Sequence, residues 1–269
     1  MTDHAKVTLR NFSRWYREGR KIVALTAYDA MLARMVDRAG ADLILVGDSL
    51  GMVLLGYPTT IPVTLADSLH HTKAVTRVVE RAFVVADMPF LTYEVSEDEA
   101  LRNAGRFMQE GGADAVKLEG GRSVVPTVKR LVDCGIPVLG HIGILPQKVQ
   151  AEGAYRVVGR NDEESEELLA DALALQNAGA FAIVLEGILT DAAQRITESL
   201  EIPTLGIGAG PFCSGQIQVT YDILGMFEDF VPKHTRQYAK LAERMHQALE
   251  EYKTDVAEGK FPGPDESFT

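Results

Sequence analysis

Short apolar runs alternate along this chain with longer stretches in which apolar residues recur every three or four positions. The runs have the length and the Val, Ile and Leu content of strands buried on both faces. The stretches between them have the period of amphipathic helices. Strands are predicted at 22–26, 42–46, 82–87, 114–118, 137–140, 181–185 and 203–207, with a weakly patterned eighth at 216–220. Helices are predicted at 29–39, 97–110, 123–134, 162–178, 190–200 and 232–256, with one more starting from Thr64, whose capping box is closed by Asp67. Strands that alternate with helices specify a parallel sheet, and eight of them favour a closed (β/α)8 barrel over an open sheet. An open nucleotide-binding sheet would want a glycine-rich turn after its first strand, and Thr26-Ala27-Tyr28-Asp29 has no glycine. A leading helix at 8–18, with Leu9, Phe12, Trp15 and Tyr16 on one side, would plug the closed end of the barrel or pack on a neighbour. The expectation is one barrel domain over residues 1–269; such a barrel typically needs about 250 residues.

Four of the strands run into a carboxylate, at Asp48, Asp87, Glu119 and Glu186. The C-terminal rim of a parallel barrel is where such folds place their chemistry. Carboxylates gathered there repel one another unless a cation or a shared proton relieves the charge. Asp48 and Asp87 end neighbouring strands and, with Glu119 beside them, suit a hard cation such as magnesium, which takes few protein oxygens. The alternative for the two aspartates is plain helix capping. Lys117 and Glu119 share a strand face. A lysine pointing into the mouth would hold a substrate carboxylate; the alternative is an ion pair that fills the barrel. His141, just after strand five, either contacts substrate or is a satisfied structural histidine. Glu186 is remote in barrel order from the metal set, which makes it the candidate general base. It could instead cap the following helix, although Thr190 is available for that. The glycines of Gly206-Ile207-Gly208-Ala209-Gly210 suit a phosphate loop or a loop bending past a bulky ligand.

The net charge of −11 argues against nucleic acid or an anionic membrane as a partner, though not against a small anionic substrate. The two cysteines, Cys134 and Cys213, make no disulfide framework and fit a reducing compartment. The polar stretch 1–20 has no apolar signal core, and no run approaches a membrane span of about 20 residues. A cytoplasmic protein is expected.

Several segments bear a resemblance to one family. They are Leu25-Thr26-Ala27-Tyr28-Asp29, Val46-Gly47-Asp48-Ser49-Leu50-Gly51-Met52, Ala86-Asp87-Met88-Pro89-Phe90, Val116-Lys117-Leu118-Glu119-Gly120-Gly121, Gly140-His141-Ile142-Gly143, the 206–210 loop and the tail from Phe261-Pro262 to Phe268. In this order they resemble the motifs of the 3-methyl-2-oxobutanoate (ketopantoate) hydroxymethyltransferases. The resemblance implies a TIM barrel of the phosphoenolpyruvate/pyruvate type and a cytoplasmic homo-oligomer, usually a decamer. It implies transfer of a hydroxymethyl group from 5,10-methylenetetrahydrofolate to 3-methyl-2-oxobutanoate, a step of pantothenate synthesis. It places magnesium on Asp48, Asp87 and Glu119. It places the keto acid on Asp48, Ser49, Asp87 and Lys117 with His141 close by, and makes Glu186 the proton acceptor. The chain departs from the family pattern at Val78, Leu145 and Ser214, none of them a metal or base position. A carbon–carbon lyase or mutase of the same superfamily would use a similar mouth, but such enzymes often carry a cysteine loop of the Lys-Arg-Cys-Gly kind, which this sequence lacks. A non-enzymatic binding barrel would not need a lysine, a histidine and four carboxylates at one rim.

Overall fold

The computed structural model describes residues 5–268; residues 1–4 of the polar leading stretch and Thr269 of the tail lie outside the described residues. Eight strands close into a parallel barrel: β1 (Ile22–Thr26), β2 (Leu43–Val46), β3 (Phe83–Asp87), β4 (Ala115–Glu119), β5 (Val138–Gly143), β6 (Ala182–Glu186), β7 (Thr204–Ile207) and β8 (Gly215–Gln218). Each pairs with the next in sequence, and β8 returns to β1 through Ile22↔Gly215 to Leu25↔Gln218. Parallel neighbours need a crossover between them. Most crossovers carry a helix: α1 (Leu9–Glu18) leads, followed by α2 (Ala30–Arg38), α3 (Leu50–Val53), α4 (Leu65–Thr76), α5 (Glu97–Gln109), α6 (Val125–Asp133), α7 (Val149–Glu152), α8 (Asp162–Asn177) and α9 (Thr190–Ser199). The expected (β/α)8 barrel is the observed one. Among the described residues, no helix is long and apolar enough to cross a membrane.

Local chemistry explains where the helices start. Asp29, Ser96 and Asn161 each accept a backbone N–H at the first turn of α2, α5 and α8, and Thr64 and Asp67 form the expected box on α4. Thr190 does not cap α9. It is the first helical residue, and Leu189, which offers no side-chain acceptor, stands at the cap. Strand β5 runs three residues further than its apolar pattern suggested, so His141 lies within the strand, opposite Glu119 and Val184.

Two apolar layers hold the barrel. One lies between strands and helices, where Ala86, Val116, Ile183 and Leu185 meet Phe107, Val128, Leu131 and Leu175. The other fills the lumen toward the N-terminal end of the strands with Leu43, Leu45, Phe83, Val85, Leu139, Val184 and Leu205. The leading helix plugs that end. Its Phe12 packs against Phe83 and Phe181 with ring centroids 5.3 Å apart, and Trp15 is buried beside it. Leu9, on the expected apolar side, is partly exposed. Emptying the plug by Phe12→Ala is expected to cost about 3–5 kcal/mol of unfolding free energy, measured by urea denaturation.

Val219 ends the first compact unit and Thr220 begins the second. The second contains a short helix, α10 (Thr220–Ile223), and the long α11 (Leu241–Ala257). The helix expected at 232–256 begins only at Leu241. The backbone N–H groups of Tyr238, Leu241 and Ala242 donate to the carbonyls of Ile223, Leu224 and Gly225, so the preceding segment folds back on α10 instead of extending α11.

Candidate active site

Period-two alternation carries the lumen-facing positions up to the rim. On β3 the inward series Phe83, Val85 ends at Asp87. On β4 Ala115 is followed by Lys117 and Glu119, on β5 Leu139 by His141, and on β6 Ala182 and Val184 by Glu186. Asp48 comes off the end of β2. Six of the residues singled out from the sequence therefore gather at the C-terminal mouth, and five of them are buried; Glu186 is half-buried.

Lys117 is the hub. Its Nζ donates to both carboxylate oxygens of Asp87 at 2.7 and 2.9 Å and stands 3.4 Å from Glu119 Oε1. An ammonium has three donors, so all three have partners. The Asp48 backbone N–H donates to Asp87 Oδ2 at 3.3 Å. His141 links the two sides of the mouth: Nδ1 is 3.4 Å from Glu119 Oε1 and Nε2 is 3.3 Å from Glu186 Oε2. These are ion-pair distances without aligned hydrogen bonds, and both ring nitrogens are buried without a hydrogen-bond partner. Glu186 is thus less isolated from the other carboxylates than its place in barrel order suggested.

The electrostatics follow from three buried carboxylates facing one lysine. Burial, then the charges of Asp87 and Glu119, push the Asp48 carboxyl well above its ordinary range despite Lys117. Burial likewise raises Asp87, although Lys117 opposes it. Burial disfavours ionisation of Glu119 as well, but there Lys117 and His141 prevail and hold it down at about 2. For His141, burial and Lys117 oppose the charged ring, yet contacts with Glu119 and Glu186 outweigh them and lift it to about 9. Lys117 stays charged, because Asp87, Glu119 and Asp48 overcome its burial.

A further set of side chains braces this cluster. Ser49 Oγ shares a 2.8 Å hydrogen bond with the hydroxyl of fully buried Tyr28. Gln147 donates to the carboxylates of Asp48 and Glu119, and the Tyr93 hydroxyl meets both Gln147 and the Glu119 backbone. Neither Tyr28, Tyr93 nor Gln147 was singled out from the sequence. Gln147 opens a polar stretch, 147–160, that carries neither a strand nor a helix pattern, so its spacing gives no sign of these contacts. In the same segment, burial and the charges of Glu186, Asp48 and Glu119 raise the Tyr155 phenol. Gly143 packs so closely on β6 that a Cβ there would overlap the Glu186 carbonyl oxygen, and its φ of +104° suits glycine. Cys213 is buried, consistent with a small loop residue. A cleft of about 410 Å³ borders the cluster through Tyr93 and Glu119 but lies outside the mouth, between the starts of α5 and α6.

No group of three or more His, Cys, Asp or Glu among the described residues stands in ligand geometry. Lys117 on Asp87 and Gln147 on Asp48 account for several of the oxygens. The donor set nonetheless fits magnesium: the oxygens are hard, two carboxylates suffice for that ion, and burial together with the charges of Asp87 and Glu119 disfavours an ionised Asp48 in the absence of a further cation.

The sequence matches the family described as ketopantoate hydroxymethyltransferase over residues 6–264. The chain belongs to the ketopantoate hydroxymethyltransferase family. A 3-methyl-2-oxobutanoate hydroxymethyltransferase of Moorella thermoacetica is 53% identical over 268 residues and covers all of both chains. This member of the family is accordingly a transferase enzyme. Among solved structures, a 2,3-dimethylmalate lyase of the PEP mutase/isocitrate lyase superfamily superposes with a TM-score of 0.64 at 19% identity, covering 98% of this chain and 89% of its own. A phosphonopyruvate hydrolase in complex with oxalate and Mg++ gives 0.63 at 14%, covering 97% of this chain and 93% of its own. At those identities the likeness is one of fold.

Proposed function

We propose that this hydroxymethyltransferase joins the one-carbon unit of 5,10-methylenetetrahydrofolate to C3 of 3-methyl-2-oxobutanoate, giving 2-dehydropantoate for pantothenate synthesis. The observation that carries the reading is the inward-facing cluster in which Lys117, paired with Asp87, is linked to the half-buried Glu186 through Glu119 and then His141. Family membership supports this choice of substrates, and the cluster offers groups suited to each step.

Asp48 and Asp87, with Glu119 beside them, would hold magnesium. When bound, that ion supplies a Lewis acid for the 2-oxo and carboxylate oxygens of the keto acid. Lys117 offers positive charge to the same carboxylate, and Ser49, held by Tyr28, offers a hydroxyl. Glu186 takes the proton from C3. The resulting carbon nucleophile bonds to the methylene carbon, both folate C–N bonds to that carbon break in turn, and water supplies the hydroxyl oxygen, while its two protons and the one taken from C3 end on the new hydroxyl and the two freed folate nitrogens. Tetrahydrofolate leaves. His141, between Glu119 and Glu186, orients the base and takes part of its negative charge. The phosphonopyruvate hydrolase solved with oxalate and Mg++ supports a barrel of this type receiving a small dicarboxylate-like ligand with the ion. The family likeness supports a cytoplasmic homo-oligomer of ten copies.

Deuterium exchange at C3 of the keto acid, followed by NMR with and without magnesium, tests the reading; exchange should require the ion. Asp87→Asn is expected to raise the magnesium concentration for half-maximal exchange at least ~10-fold, since even outer-shell changes cost 10–100-fold in affinity. An unchanged magnesium titration in both Asp48→Asn and Asp87→Asn would remove the metal from these residues.

A further inference from the structure

Four hydrogen bonds converge on Gln147, which is only 2% exposed. Its Nε2 donates to Asp48 Oδ2 at 2.9 Å and to the Met88 carbonyl at 3.0 Å. Its Oε1 accepts from the Tyr93 hydroxyl at 2.7 Å, and its backbone N–H donates to Glu119 Oε2 at 3.1 Å. The amide orientation is fixed by chemistry. The Met88 carbonyl can only accept, so the atom facing it is the NH2. The oxygen then faces Tyr93, which must donate. The second amide proton points at one particular oxygen of Asp48.

We propose that Gln147 is a positioning residue that selects which carboxylate oxygens of Asp48 and Glu119 face the mouth. It engages Oδ2 of the one and Oε2 of the other. That leaves Asp48 Oδ1 for a cation and directs Glu119 Oε1 toward Lys117 and His141. A carboxylate free to rotate would present its oxygens in many directions, and a small cation with strict geometry would pay for the ordering at each binding event. Tyr93 acts one step further out: its hydroxyl donates to the amide oxygen and holds it in place, while the Met88 carbonyl excludes the flipped amide that would turn its oxygen against Asp48. Gln147 lies in the short turn Pro146–Lys148 that opens the segment carrying Tyr155, so that segment is anchored to the same two carboxylates.

The inference rests on the metal reading above, and manganese binding to the protein alone, followed by electron paramagnetic resonance, tests it without turnover. Gln147→Met keeps the side-chain length, removes its hydrogen bonds and leaves the backbone N–H on Glu119. It is expected to weaken manganese binding ~10–100-fold. Tyr93→Phe is expected to weaken it in the same direction by less, with thermal unfolding close to wild type. Manganese bound at wild-type affinity by folded Gln147→Met would overturn the role, as would wild-type affinity in Tyr93→Phe if the first variant fails to fold. Failure of the underlying reading looks different: wild-type protein would bind no manganese, or Asp48→Asn would leave binding unchanged, and either outcome overturns this inference as well.

Discussion

Glu186→Gln is expected to slow C3 deuterium exchange by ~10²–10⁴ while the keto acid still binds with magnesium. The substitution keeps the shape and hydrogen-bonding reach of the side chain and removes its basicity. Glu186 is the one carboxylate of the cluster that is not fully buried, and its recorded partner is His141 Nε2 at 3.3 Å rather than Lys117. A base must be free of the metal and within hydrogen-bond reach of the proton it removes, directly or through one water. Asp48, Asp87 and Glu119 are committed elsewhere, to Gln147, to Lys117, and to both His141 and Gln147. Exchange at the wild-type rate in a folded, magnesium-loaded Glu186→Gln protein would move the base to another group, with His141→Gln the next variant to measure.

Lys117→Met is expected to lower the unfolding free energy by about 3–5 kcal/mol, because it strips the counter-charge from a buried carboxylate cluster. Urea denaturation reads the loss. Adding Asp87→Asn to the same chain should return part of it, with a coupling energy of about 0.5–3 kcal/mol for residues in such direct contact. Keto-acid affinity, measured by calorimetry on the folded fraction, should fall too. From the sequence, substrate anchor and structural ion pair are alternatives for this lysine. The observed 2.7 and 2.9 Å bonds to Asp87 establish the pair, and a bound carboxylate would compete for the donor now facing Glu119 at 3.4 Å. A wild-type urea midpoint would show that the cluster is ionised far less than its geometry implies. Wild-type keto-acid binding with lost stability would leave the lysine a structural residue alone.

The barrel was legible because its signals are local. Ile22–Thr26 matches its expected span at both ends, and the Thr64–Asp67 box sits where three-residue spacing puts it. The rim carboxylates were legible for a related reason: period-two alternation predicts which side of a strand a residue takes. What escaped was long-range. Nothing in the spacing of Tyr93, Asp48 and Gln147 announces that they meet, since Gln147 and Asp48 are brought together by four strands of barrel closure. The apolar pattern of strand five stops at Gly140 and leaves His141 just beyond it, whereas pairing with β4 and β6 carries the strand on through the flanking glycines. The second unit misled for the opposite reason. Its helical periodicity extends back past Leu241, but the backbone donors there are spent on the turn after α10.

Gly143 sets a boundary on how this pocket can be redesigned. With no room for a methyl group between its Cα and the Glu186 carbonyl, any larger residue there must displace the backbone that carries the proposed general base. A library meant to admit bulkier keto acids gains nothing from randomising that position. Diversity belongs instead at exposed side chains of the 147–160 segment, such as Tyr155.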